Sequence, residues 1–225
     1  MDSMQQLLYV LRTFVDRNVV GSGAVSGVVL DACGISEQQR QRIASEKGLP
    51  EIVFVDDFER GIVQIFTASR QRPYAGYPLV ATAWLLSQIN GPIKVITPPA
   101  GSTLVRYKGN GDISLRIPDG WIRRHTFEQY PSVKELQQIY PPSDDVIRWA
   151  WHKEGNRAIF ARFTIPDHVP GSGVSAAITA ALGIEVTIPL LVTQGNYAIC
   201  EVLRHEDIDG VWVSGAVVLE RITQL

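Results

Sequence analysis

Two glycine-containing turns, each followed by an apolar stretch, are the segments of this chain best suited to bind a small ligand. The first is Pro-Tyr-Ala-Gly-Tyr-Pro at residues 73–78, and the second is Gly-Ser-Gly at residues 171–173. The first N–H groups of a helix lack partners inside the helix and carry the positive end of its dipole. Gly76, Ser172 and Gly173 are therefore predicted to bind anionic groups such as a carboxylate. The alternative is that each turn is the entry to an ordinary core helix.

The stretches after these turns are predicted to be enclosed helices. One is predicted over about 78–89, because proline is tolerated in a first helical turn and apolar residues occur on nearly every side. Another, rich in small apolar residues, is predicted over about 173–183. If each lobe contains one such helix, the two amino-terminal ends meet across one cleft, and ligand sites favour such interfaces.

Strands account for most of the remaining chain, and the order of elements is similar in its two halves. In each half a helix with a capping-box pattern, at 36–39 and at 132–135, is followed by strands and then by an apolar helix. We therefore predict two equivalent lobes, 1–117 and 118–225, and leave open whether the C-terminal tail returns to the first lobe. The predicted strands cover 7–14, 24–30, 51–55, 61–67, 93–97, 103–107, 113–117, 146–151, 157–164, 185–192, 197–203 and 211–219.

Composition excludes several classes of function. The 225 residues are 45% hydrophobic and 20% charged, with a formal net charge of −2, which gives no support for a nucleic acid or an anionic membrane as partner. No apolar run is long enough to span a bilayer, and the first ten residues have no basic start. Cys33 and Cys200 lie far apart without metal-ligand spacing. A reduced, cytoplasmic protein without a metal is predicted.

Short motifs spread over residues 27–217 are similar to those of one known family. The turn at 73–78 is similar to a P-F-A-G-H-P turn, and the sequence T-A-W-L-L follows in both. Further motifs lie at 27–32, 41–46, 49–55 and 65–67 and, more weakly, at 149–151, 161–163 and 194–195. Together they resemble the PhzF family of phenazine biosynthesis-like isomerases. The resemblance implies an α+β, diaminopimelate epimerase-like fold in which each lobe is a mostly antiparallel, barrel-like sheet around a central helix. It also implies a homodimer and no cofactor.

The same resemblance implies an acid/base residue. The family's proton-shuttling glutamate lies in an L-S-E-[ST]-x-F motif, which matches Leu-Pro-Glu-Ile-Val-Phe at 49–54, so Glu51 is predicted to act as general acid and base. A carboxyl group in a closed apolar cleft has a raised pKa and can move a proton on a carbon acid. The implied reaction is a cofactor-free proton shift on a small, anionic, carboxylate-bearing metabolite. Without the resemblance, Glu51 is interpreted as an ordinary exposed carboxylate.

Departures from the family pattern bear on this reaction. Tyr77 replaces the family's histidine, and its hydroxyl either orients the substrate or belongs to a packed core aromatic. Val169 stands where the family has an aspartate, and the neighbouring His168 is either a substitute proton donor or a surface histidine. The family's G-R-P segment is absent after Gly195. The alternative function is a non-catalytic small-molecule-binding or scaffold protein that kept the fold.

A second activity known on this fold is not predicted. Cofactor-free racemases of this type place one cysteine at the start of each central helix as an acid–base pair. Here those positions hold Gly-Tyr at 76–77 and Ser-Gly at 172–173. Cys33 and Cys200 are instead predicted to be core or near-surface thiols.

Overall fold

The computed structural model describes residues 6–121, 126–137, 148–154, 158–163, 190–194, 198–204 and 209–225. Within these ranges the chain has an α+β fold of two sheets and three α-helices. The strands are β1 (Leu7–Thr13), β2 (Ala24–Val29), β3 (Ile52–Asp57), β4 (Ile62–Phe66), β5 (Gln71–Arg72), β6 (Val95–Ile96), β7 (Thr103–Tyr107), β8 (Ile113–Ile117), β9 (Thr126–Gln129), β10 (Arg148–Glu154), β11 (Ala158–Phe163), β12 (Leu190–Gln194), β13 (Ala198–Arg204), β14 (Val211–Gly215) and β15 (Val217–Gln224). The helices are α1 (Glu37–Glu46), α2 (Gly76–Ile89) and α3 (Val133–Gln137), with 3-10 turns at Ala32–Gly34 and Asp119–Trp121.

The two sheets are mostly antiparallel, as the resemblance implied. The first has the order β15-β1-β2-β3-β4-β5, with only β2 and β3 parallel. The second has the order β6-β7-β8-β14-β13-β12-β11-β10-β9. Strands from both halves of the sequence share this second sheet, and β15 pairs with β1 in the first. The division of the chain into lobes at 117 and 118 stays a prediction.

Helix α2 is enclosed between the sheets, as its apolar sequence predicts. It packs against β1, β2, β3 and β15 of the first sheet and against β8 of the second. Its residues from Leu79 to Ala83 are buried, whereas Ile89 at the end of the helix is exposed, contrary to prediction. The helix begins at Gly76, two residues earlier than predicted, which places Tyr77 in its first turn. No helix in the described part of the chain is long and apolar enough to cross a membrane.

The predicted capping box opens α1, and the Ser132 hydroxyl caps α3. The Ser36 hydroxyl accepts a hydrogen bond from the Gln39 N–H (3.4 Å), and the Gln39 side chain accepts one from the Ser36 N–H (2.9 Å). The Glu135 N–H likewise donates to the Ser132 hydroxyl (3.2 Å). Ala44 of α1 packs in a second apolar core on the face of the first sheet opposite α2.

The strand predicted over 51–55 is longer than predicted. It continues to Asp57 and carries the Asp56 side chain towards the α1 face, in phase with Phe54. There it accepts hydrogen bonds from the buried guanidinium of Arg40. This guanidinium also donates to the carbonyl of Ala32 in the 3-10 turn (2.7 Å) and to that of Ile35 directly after it (2.8 Å).

The strand predicted over 211–219 is two strands that belong to different sheets. The chain crosses between the sheets at Ala216, whose carbonyl accepts the Phe14 N–H (2.8 Å). Gly215 permits this close approach, because a side chain there would begin 2.6 Å from Cδ1 of Phe14. The helix predicted over 173–183 and most of the strand predicted over 185–192 lie outside the described residues.

Candidate active site

Glu51 lies at the entry to β3, on the face of the first sheet that α2 covers. Its carbonyl accepts a hydrogen bond from the Gly27 N–H (2.9 Å), which continues the pairing of β2 with β3 by one residue. Side chains alternate along a strand, and Val53 and Val55 belong to the core around α2. Glu51 is in phase with these residues, so its carboxyl group points inward.

Gly27 allows the segment that carries Glu51 to lie close to β2. A side chain at position 27 would begin 2.8 Å from Cδ1 of Leu8 and 2.9 Å from Cδ1 of Leu49. A larger residue at position 27 would therefore force the Leu8 and Leu49 side chains to move.

The environment of Glu51 favours the neutral carboxylic acid. Only 9% of the residue is exposed, and burial raises the pKa of Glu51 from 4.5 to about 7, although Arg72 and the Tyr77 hydroxyl both act to lower it. Among the described residues, its Oε2 atom has no hydrogen-bond partner. Glu51 can thus exchange a proton near neutral pH, where both of its forms are populated.

Tyr77 places a phenol next to this carboxyl group. It lies in the first turn of α2 and is 3% exposed. Burial and the neighbouring Glu51 raise the pKa of Tyr77, so the hydroxyl stays protonated and able to donate. It is near enough to Glu51 to favour the carboxylate, yet neither group completes a hydrogen bond of normal geometry with a described residue. The structure thus brings Glu51 and Tyr77 together.

The start of α2 presents free backbone donors at the same place. Ala75 is the N-cap residue and provides no side-chain cap, and Pro78 has no N–H group. The N–H groups of Gly76 and Tyr77 have no acceptor within the described ranges. Ser172, Gly173, His168 and Val169 lie outside the described residues.

Arg72, which the sequence analysis did not single out, is the charged neighbour of Glu51. It pairs across β5 and β4 with Ile65, a member of the core around α2, so it shares the inward face with Glu51. Its Nε atom is buried and has no partner among the described residues. The signal in the sequence was an arginine directly before the 73–78 turn.

Tyr74 was missed as a site residue for a different reason. It occupies the phenylalanine position of the family's turn, and only its hydroxyl distinguishes the two side chains. That hydroxyl is buried without a partner in the described structure, and burial together with the neighbouring Glu51 raises the pKa of Tyr74. Its ring packs against Trp121, with centroids 4.9 Å apart.

Ser26 is a further polar residue beside Glu51. The parallel register pairs Gly27 with Ile52, so Ser26 is the neighbour of Glu51 on the adjacent strand and faces α2 with Ala24 and Val28. Ser26 is fully buried, and its hydroxyl has no partner among the described residues. A serine inside an otherwise apolar strand was the signal available in the sequence.

These residues form a donor-rich, enclosed site around one titratable carboxyl group. Buried polar atoms are normally hydrogen-bonded, because each one without a partner costs about 1–3 kcal/mol. A cluster of buried polar atoms without partners therefore indicates a place where a bound ligand supplies the hydrogen bonds. No group of three or more histidine, cysteine or carboxylate side chains in the described ranges is arranged to hold a metal ion. The arrangement suits binding of an anion and transfer of a proton.

Comparison with known proteins confirms the resemblance to the PhzF family. Residues 14–118 match the family model of phenazine biosynthesis-like proteins, PhzC-PhzF. A 72-residue segment is 38% identical to an uncharacterized isomerase of Deinococcus radiodurans; it covers 31% of this chain and 23% of that relative's length. Residues 14–118 thus resemble phenazine biosynthesis-like proteins in sequence.

Solved structures of the family extend the likeness of fold over nearly the whole chain. A PhzF family protein of Enterococcus faecalis has a TM-score of 0.80 at 17% identity, covering 99% of each chain. A PhzC/PhzF protein of Clostridium difficile has a TM-score of 0.78 at 18% identity, covering 98% of this chain and 99% of that one. At these identities the comparison shows similarity of fold alone. The reaction has to be inferred from the residues of the site.

Proposed function

We propose that the chain is a cofactor-independent isomerase that moves a proton on a small carboxylate-bearing metabolite, with Glu51 as general acid and base. The observation that carries this proposal is a group of five buried polar atoms that have no hydrogen-bond partner among the described residues: Glu51 Oε2, Arg72 Nε and the hydroxyls of Ser26, Tyr74 and Tyr77. A bound ligand would supply the missing partners. The likeness to a relative named an isomerase supports the reaction class.

The proposed step is a proton shift in which no atom is gained or lost. Ionised Glu51 removes a proton from an acidic carbon of the ligand, and the electron pair of that C–H bond moves into the adjoining unsaturated system. The neutral Glu51 acid then returns the proton to another carbon of that system. A pKa of about 7 suits both halves, because neither form of Glu51 is costly to reach near neutral pH.

The other predicted residues have positioning roles in this proposal. The Tyr77 hydroxyl donates to an oxygen of the ligand as charge develops there, and the N–H groups of Gly76 and Tyr77 bind an anionic group. Ser172 and Gly173 are proposed to supply a matching set of donors from the second lobe. A homodimer located in the cytoplasm is part of the same proposal and rests on the family resemblance.

Deuterium incorporation tests the proposal directly. The chain is incubated in D2O with a panel of small dicarboxylates and aromatic acids, and carbon-bound deuterium is measured by mass spectrometry and NMR. At least one acid that binds is expected to gain deuterium faster with protein than without it. If several acids bind but none of them incorporates deuterium, the proposed isomerase activity is contradicted.

One observation favours a non-catalytic binding protein as the second candidate. The resemblance aligns Val169 with the family's aspartate, and a valine cannot supply that polar group. A binding protein would retain the affinity for small acids and show no exchange, which is the contrary outcome of the same experiment.

A further inference from the structure

Arg72 brings a positive charge to the site, and the described protein does not neutralise it. Its pairing with Ile65 directs it to the face that α2 covers. No ion pair in the described ranges involves Arg72, whereas eight other pairs are formed there. A guanidinium group cannot lose its charge in proteins, so its buried Nε–H needs an acceptor.

Glu51 is a poor counter-ion for Arg72. The two side chains interact through space, but no carboxylate oxygen of Glu51 lies within ion-pair distance of the guanidinium. Burial keeps Glu51 largely neutral below about pH 7, so the site then carries one net positive charge from Arg72. Such a site selects an anion from solution.

Tyr74 adds a neutral hydroxyl donor that also interacts with Glu51. The preceding Pro73 carbonyl accepts the Ala100 N–H (2.9 Å), and the Tyr74 ring packs against Trp121. The turn that holds Trp121 is itself held by hydrogen bonds from the Arg204 guanidinium to the Asp119 carboxylate, at 2.7 and 3.3 Å. Tyr74 is therefore held by the backbone hydrogen bond of its neighbour and by ring packing, and its hydroxyl has no partner among the described residues.

We propose that Arg72 and Tyr74 form the subsite that binds a carboxylate of the ligand, beside the Glu51 carboxyl. The inference adds a carboxylate-binding subsite to the proposed function, and it rests on that function for the reaction at the adjacent carbon. It makes the ligand a small carboxylic acid in which one carboxylate contacts Arg72 and the acidic carbon faces Glu51. A guanidinium and a hydroxyl donor together match a carboxylate better than either donor alone.

Binding at this subsite is coupled to proton uptake by Glu51. Within the described structure, the charged and titratable groups that face Glu51 are Arg72 of β5, Tyr74 ahead of α2 and Tyr77 in α2. Only Arg72 is charged near pH 7, since the pKa of each tyrosine is raised. A carboxylate that neutralises Arg72 removes its effect on Glu51 and raises the pKa of Glu51 further. Ligand binding at pH 7.5 therefore takes up protons.

Calorimetry with matched charged and neutral probes tests the subsite. Benzoate and succinate are titrated into the chain at pH 7.5, with benzamide and succinamide as neutral counterparts, in two buffers of different ionisation enthalpy. The acids are expected to bind roughly tenfold or more tightly than their amides, with net proton uptake. Arg72→Gln should remove this preference, and Arg72→Lys should keep part of it.

Two further variants separate the inference from the proposed function. Arg70→Gln makes the same charge change at an exposed position of the same hairpin and should bind both acids like the unsubstituted chain. Glu51→Gln should still bind the acids but without proton uptake. If neither acid outcompetes its amide, or if Arg72→Gln and Arg70→Gln bind alike, the subsite is overturned even where deuterium exchange is seen. If binding depends on Arg72 but no acid incorporates deuterium, the carboxylate subsite is supported and the proposed isomerase activity is contradicted.

Discussion

Glu51→Gln is expected to slow deuterium incorporation into a bound carbon acid by roughly a hundredfold or more. An amide of nearly the same shape cannot remove a proton at neutral pH, and general acid/base catalysis is typically worth about 10²–10⁴ in rate. The ligand should still bind, because Arg72 and the donors at the start of α2 are unchanged. The rate is measured by NMR in D2O with the acid that exchanges best.

A surface carboxylate provides the control for this substitution. Glu59 lies in the exposed turn between β3 and β4, so Glu59→Gln makes the same chemical change outside the site. Its exchange rate should equal that of the unsubstituted chain. A Glu51→Gln protein that binds the acid and exchanges it at the original rate would remove Glu51 from the mechanism.

The same substitution is expected to change how stability depends on pH. The pKa of Glu51 rises on folding from 4.5 to about 7, so the folded state holds its proton more tightly than the unfolded state. This contribution is fully present below pH 4.5 and is lost as the pH rises through about 7. The free energy of unfolding should therefore fall by roughly 3 kcal/mol across this interval because of Glu51 alone.

Urea unfolding of Glu51→Gln and the unsubstituted chain, measured from pH 4 to pH 8, isolates this effect. The variant has no proton to release, so its free energy of unfolding should exceed that of the unsubstituted chain above pH 7 and match it near pH 4. All other titrating groups cancel in the difference. Parallel curves would show that Glu51 is not held neutral by burial.

Features set by neighbouring residues were predictable from the sequence. The capping box at Ser36 requires only a serine and a glutamine three residues apart, and the structure forms both of its hydrogen bonds. The enclosure of α2 follows from apolar residues on every side of Leu79 to Leu86. In both cases the deciding sequence pattern lies within one helical turn or one helix.

The features that sequence reasoning missed depend on contacts between distant segments. Arg72 faces Glu51 because β5 pairs with β4 in the register that sets Arg72 opposite Ile65, which no local pattern specifies. Asp56 is paired because β3 continues far enough to aim it at Arg40 of α1. The crossing at Ala216 depends on a carbonyl bonded to Phe14, some two hundred residues away in the chain.

Titration of the Glu51 carboxyl group tests the central claim most directly. The glutamate side chains are labelled with ¹³C, the Glu51 signal is assigned by its absence in Glu51→Gln, and its chemical shift is followed from pH 4 to pH 9. A midpoint near pH 7 is predicted, and Tyr77→Phe should move it upward because the phenol favours the carboxylate. A midpoint near 4.5, the value of an exposed glutamate, would contradict a buried acid/base group at this site.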